Sequence, residues 1–297
     1  MNFSDATDIR LGSSTITALY YGSTLIWPTS HNYANDYFTI ESLEASNTIS
    51  LWTNDIGGTP TIYYSTDGST WQSYTTPSGG SIYDLVTLNA NDKLYLKSTQ
   101  TSGVTYNCYQ LCSTGTVNAY GNIMSLLYGD NFIGATTLPF DSTFYELFCP
   151  SYAGNKYLKI VDASNLILPS TVLRPKCYQL MFHWVQTMTA PPSLSAVTTL
   201  ASQCCSSMFT YCTSMTSYVL PNVSTLVEKC YEWMFADDSA LNDVTCLATD
   251  NSALECTYGW LAGVAATGTF TKASTMTDWR IDHPNGIPEN WTVVNAQ

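Results

Sequence analysis

The sequence predicts a multi-domain, β-rich α+β chain: a small N-terminal β anchor over residues 1–30, an antiparallel β-sandwich over 31–115, and a C-terminal repeat solenoid with short helices over 116–297. Three observations carry that prediction. A ten-residue pattern is duplicated at the start of the chain. Short β-rich runs punctuated by turn residues fill 37–100. A Cys-x-x-x-Met-Phe block recurs at 177–182, 204–209 and 230–235.

At the start, IRLGSSTITA (9–18) aligns with LYYGSTLIWP (19–28), with Gly12 over Gly22 and Ser13 over Ser23. Two short strands with Gly-Ser turns follow from that pattern. So small a β unit cannot bury a core alone. It is expected to dock on another surface, with Ile9, Leu11, Leu19, Tyr21, Ile26 and Trp27 as the candidate anchoring side chains. Residues 29–36 (TSHNYAND) read as a linker.

The middle of the chain carries YFTIESLE, NTISLWTN, TIYYSTDGSTWQSY and LVTLNANDKLYLKS, β-rich runs with partial alternation and turn residues between them. That spacing predicts an all-antiparallel sandwich, and Asp67-Gly68 between aromatic runs predicts a hairpin. YSTDGSTW (64–71) resembles the Asp-box hairpin of sialidase-like proteins, one residue short of its usual spacing. That motif is structural even in those enzymes, so Asp67 is expected to cap the turn and Trp71 to pack beneath it.

The repeat aligns on Cys177, Cys204, Cys230 and Cys256, spaced by 27, 26 and 26 residues. Four residues earlier stand Leu173, Leu200 and Leu226; four later stand Met181, Met208, Met234 and Trp260, followed by Phe182, Phe209, Phe235 and Leu261. Residues at i, i+4 and i+8 share a helix face, so each repeat is expected to hold a short helix such as TLASQCCSSMF (199–209). The Leu-Pro pieces LILP (166–169) and VLP (219–221) read as short strands or extended turns opposite it. A period of about 20–29 residues with regular leucines marks a leucine-rich-repeat solenoid. The cysteine column is then a set of small buried hydrophobes rather than a metal or redox site, and the segment 268–294 closes the stack.

LILPSTVLRPKCYQLMF, TTLASQCCSSMFTYCTSMT and VLPNVSTLVEKCYEWMF resemble the BspA-like leucine-rich-repeat family of Bacteroidetes surface proteins and their phages, over about residues 120–297. CCSS in place of CYxx and the Asp237-Asp238 pair depart from that family's pattern. The start, xLGSxxI followed by YxGSxxIW, resembles the beginnings of virion structural proteins of Bacteroidetes phages. These resemblances imply a non-enzymatic role in adhesion or surface display.

Composition narrows the function classes. Charged residues make up 11% of the chain, against a usual level of about 25%. The net charge is −13, which opposes nucleic-acid and anionic-membrane partners. With 21 Tyr and 8 Trp the chain is not of disordered composition. No stretch suits a membrane span, and the first residues carry no basic and apolar leader pattern. No catalytic signature motif is present, and no metal or cofactor is expected. Asp237 with Asp238, expected to be solvated at a helix end, and Glu41 with Glu44 are the carboxylate pairs that could serve a glycosidase. His183 beside Trp184 is a candidate ligand contact.

The leading expectation is a phage virion structural protein: a head or tail fibre, or a capsid decoration, at the virion surface. It would attach through its N-terminus to capsid or tail proteins and present an adhesive repeat domain to a host surface glycan or protein. The alternative is a bacterial cell-surface adhesin. A carbohydrate-active enzyme is the third reading. A homo-oligomer is expected, a trimer by analogy with other fibres.

Overall fold

The computed structural model describes residues 10–11, 14–15, 19–21, 24–27, 31–53, 60–75, 81–99, 109–149, 157–277, 279–281 and 285–297. The N-terminal duplication forms two hairpins: β1 (Arg10–Leu11) pairs antiparallel with β2 (Ser14–Thr15), and β3 (Leu19–Tyr21) with β4 (Thr24–Trp27). Neither hairpin pairs with any other described strand.

The sandwich region has two sheets. The larger runs β13 (Lys159–Asp162), β12 (Thr116–Asn122), β5 (Phe38–Ser42), β10 (Lys93–Ser98), β7 (Thr61–Ser65), β8 (Gln72–Thr75), with β14 (Leu166–Ile167) also on β12. The smaller is β11 (Tyr109–Ser113), β6 (Asn47–Thr53), β9 (Ser81–Leu88). Successive side chains of a strand point to opposite faces. So Phe38 and Ile40 on β5, Leu94 and Leu96 on β10, and Val117 and Ala119 on β12 enter one core with Ile49, Leu51 and Leu111 of the smaller sheet. Within 31–115 every described strand pairing is antiparallel; beyond that span β12 extends the larger sheet and pairs in parallel with β13 and β14, which makes that sheet mixed.

The expected leucine-rich-repeat solenoid with short helices, and with it the β-rich α+β class, is overturned. The described chain is almost all β and turn, divided among several sheets. Its helical content is α1 (Ser125–Tyr128) and two single 3-10 turns. The CYQLMF, CCSSMF and CYEWMF segments are runs of consecutive turns. In each run every fourth residue sits in the left-handed region: Lys176, Leu180 and Trp184, then Gln203, Ser207 and Tyr211, then Lys229, Trp233 and Asp237, at φ between 54° and 66°.

Backbone hydrogen bonds explain the ribbon. The N–H groups of Cys177, Gln179, Met181 and His183 donate to carbonyls three residues back. Those of Tyr178, Leu180, Phe182 and Trp184 instead donate to Cys204, Ser206, Met208 and Thr210 of the next run, at 2.8–3.0 Å. The pattern repeats from 203–211 onto the 228–236 carbonyls and from 229–237 onto the 254–262 carbonyls. Residues four apart in a helix are rotated by about 40°. Leu173, Cys177, Met181 and Val185 would therefore drift off one face by about 120°. A ribbon with a strict four-residue repeat keeps all four inward, and all four are buried. A left-handed L-residue costs roughly 1–2 kcal/mol; the bonds between runs and the burial of Cys, Met and Phe offset it.

Opposite the ribbons, β15 (Ser217–Val219), β16 (Asp243–Cys246), β17 (Gly268–Lys272) and β18 (Trp291–Asn295) form a parallel sheet. The closing segment thus adds strands to it. The segment also covers the last turn run, where Trp260 stacks on Trp279 with ring centroids 5.3 Å apart and donates its indole N–H to the Gly286 carbonyl at 3.0 Å.

Candidate functional site: an aromatic cleft on the large sheet

The outer face of β10, β5 and β12 is built by register. Lys93 lies opposite Glu41, and Glu41 opposite Asn118, so one row crosses three strands. The next row is Tyr95, Thr39, Tyr120. The residues of this face are those the core alternation turns outward. They floor a cleft of about 650 Å³. Asp162 and Asn165 stand at one side and the β7–β8 turn at Gly68 at another.

The remaining wall is the segment expected to be a linker. Residues 31–36 are tied down: the Asn122 side-chain amide donates to the Ala34 carbonyl, and the Asn122 backbone N–H to the Asp36 carbonyl, each at 2.9 Å. Tyr33 meets Tyr120 edge-on with centroids 5.4 Å apart. The His31 imidazole bonds the Asp36 carboxylate.

Electrostatics give the cleft its character. Lys93 hydrogen-bonds the Tyr120 phenol, which raises the Lys93 pKa, while burial raises that of Tyr120. Glu41, Asp36 and Asp162 put three carboxylates in the lining. No hydrogen bond from the side chains of Glu41, Tyr95, Asn118 or Asn165 is formed among the described residues. Such unpaired polar tips around aromatic walls are the ordinary make-up of a ligand pocket.

A second aromatic group flanks the hairpin. Lys97 lies 3.9 Å from the Trp71 ring centroid and 2.6 Å from Asp130, and Tyr37 donates to Asp130 at 2.7 Å. Burial, with the Asp130 charge, pushes Tyr37 up to about 12. Asp67 accepts the N–H groups of Ser69 and Thr70 at 2.7 and 2.6 Å, which holds its carboxyl well below the usual range. Asp67 therefore caps its turn and Trp71 packs on Tyr37, 4.9 Å between centroids.

The other sequence candidates fall elsewhere. Ile9 lies outside the described residues; Leu11, Leu19, Tyr21, Ile26 and Trp27 lie on the hairpin strands. Leu173, Cys177, Met181, Phe182, Leu200, Cys204, Met208, Phe209, Leu226, Cys230, Met234 and Phe235 are all buried in the ribbon core. The thiols of Cys177, Cys212 and Cys230 are pushed up by burial, and Cys177, Cys204, Cys205, Cys212, Cys230, Cys246 and Cys256 are free. Glu44 spends its carboxylate on the Thr116 N–H at 2.9 Å, away from Glu41's cleft. Asp238 is not solvated as expected: it is fully buried, takes the Cys212 N–H at 2.6 Å, and its second oxygen has no partner among the described residues. Burial raises its pKa well above the ordinary value. His183 is half-buried against Trp184 and Tyr211, and burial pushes it down to about 4.

Sequence reasoning singled out Glu41 but missed the cleft around it. Its residues come from strands far apart in the chain, and their only local signal was the outward phase of KLYLK and TVNAY. Among the described residues no group of three or more His, Cys, Asp or Glu is placed to hold a metal, and no helix is long and apolar enough to cross a membrane. No family model, curated protein or solved structure matches the chain.

Proposed function

We propose that the chain is a structural protein of a phage virion surface, a head or tail fibre or a capsid decoration, held on the particle by residues 1–30 and displaying the rest to the host surface. The observation that carries the reading is the pair of N-terminal hairpins, which bond only to themselves among the described strands. Two-stranded units of this size are not stable alone, so they call for a partner surface. The sparsely charged surface, rich in Tyr, Ser, Thr and Asn, suits display. The buried, free thiols of the repeat, Cys177, Cys204, Cys205, Cys212, Cys230, Cys246 and Cys256, suit assembly in a reducing cytoplasm. The resemblance of the N-terminal pattern to virion structural proteins points the same way.

Quantitative mass spectrometry of purified particles against host envelope fractions tests it. Enrichment in particles at a fixed ratio to the capsid protein is expected, and removal of residues 1–30 should abolish incorporation. Absence from particles with presence in the envelope would replace the reading with that of a bacterial adhesin.

A further inference from the structure

We infer that the cleft on the outer face of β10, β5 and β12 binds a short neutral oligosaccharide. The inference rests on the surface-attachment reading for its biological setting, but its grounds are the cleft's own chemistry.

A saccharide presents two kinds of surface: apolar C–H faces and a rim of hydroxyls that both donate and accept. The cleft offers both complements. Tyr95 and Tyr120 stand on the two strands that flank β5, in register with Thr39, and Tyr33 rises over Tyr120 from the docked segment. Tyrosine rings give broad, amphipathic contact at little entropic cost. Glu41 and Asn118 lie side by side in the neighbouring row. A carboxylate accepts at both oxygens and an amide both donates and accepts, so together they can meet vicinal hydroxyls from both directions. That these groups bond nothing else among the described residues leaves their capacity for a ligand.

Charge decides which saccharide. Asp36, Glu41 and Asp162 line the cleft, so three carboxylates outnumber the Lys93 ammonium, which is bonded to Tyr120, and the His31 imidazole, which is bonded to Asp36. An anionic sugar would meet carboxylates there and a chain of net charge −13 around them. A neutral one meets no such opposition. The volume of about 650 Å³ falls in the range of roughly 300–1,000 Å³ typical of small-ligand sites.

The test uses the full chain on a printed array of neutral and acidic oligosaccharides, followed by calorimetric titration of the strongest neutral binder. Neutral spots should bind and their sialylated or uronic counterparts should not. Glu41→Ala and Tyr95→Ala should each weaken binding at least tenfold. Tyr95→Phe, which keeps the ring, should lose only a few-fold and guards against misfolding in the alanine variant. Trp184→Ala, on the turn ribbon and outside the cleft lining, should bind as the parent does. No binding to any neutral spot, stronger binding to acidic ones, or binding that survives both alanine substitutions would overturn the inference. Particles that carry the chain while the chain binds no neutral saccharide refute the cleft alone; saccharide binding by a chain absent from particles refutes the virion reading alone.

Discussion

Replacing Gln203 and Ser207 together by glycine distinguishes a turn ribbon from a helix by the sign of the effect. Both residues sit in the left-handed region, at φ 57° and 54°. Each L side chain there costs about 1–2 kcal/mol. Glycine removes that cost but gives back about 0.4–1 kcal/mol through its freer unfolded chain. The net gain is about 0.5 kcal/mol per site, or about 1 kcal/mol for the pair. The backbone bonds survive, because the N–H groups of 203 and 207 donate to Glu228 and Glu232 at 3.1 and 2.8 Å whatever the side chain. The protein already places Gly259 at the position of its last run equivalent to Ser207, at φ 65°, while Glu255 stands at that of Gln203, at φ 51°. In a helix the same double change would cost about 1 kcal/mol. Urea unfolding reads the difference as a shift in midpoint at constant slope. A rise is expected; a fall equivalent to about 0.5 kcal/mol or more would refute the ribbon argument. The reverse change, Gly259→Ala, should destabilise, since an added Cβ would collide with the Trp233 indole.

Phe209 is fully buried between Phe182 and Phe235, with centroids 5.4 and 5.9 Å away; Phe209→Ala should cost about 3–5 kcal/mol in urea unfolding, and a loss below about 1 kcal/mol would show that the column is not packed. Asp238 holds its proton in the fold to higher pH than in the unfolded chain, so its contribution is full below the ordinary carboxylate range and lost as pH rises through the folded pKa. Asp238→Asn keeps an acceptor for the Cys212 N–H, and its stability relative to the parent should therefore improve with rising pH, by about 1.4 kcal/mol per pKa unit of the shift; parallel curves from pH 4 to 8 would contradict this. Cys230→Ser buries a hydroxyl beside the Cys256 carbonyl and should destabilise modestly, by about 1–3 kcal/mol. Native protein should show few fast-reacting thiols in a colorimetric titration, and many would sink the buried-column reading.

The sequence by itself determined the positions of much that matters here. The strand phases of 37–100, the duplicated start, the Asp67 cap and the inward Leu, Cys, Met and Phe columns were all legible, because each depends on spacing within a few residues. Spacing did not determine the kind of element that holds the repeat. A four-residue period is shared by a helix face and a turn ribbon, and they are distinguished by the left-handed residue at every fourth position and by hydrogen bonds between runs, such as those from Tyr178 to Cys204 and from Cys205 to Cys230. The fate of the carboxylates was also out of reach: Asp238 is buried because its neighbours pack over it, while Glu41 is left open and Glu44 is taken by Thr116. The cleft is the clearest case. Lys93, Glu41 and Asn118 are distant in the chain, and they become neighbours only because β5 is inserted between β10 and β12. Strand order is fixed by long-range backbone pairing and by the shared core beneath it, which no local pattern encodes.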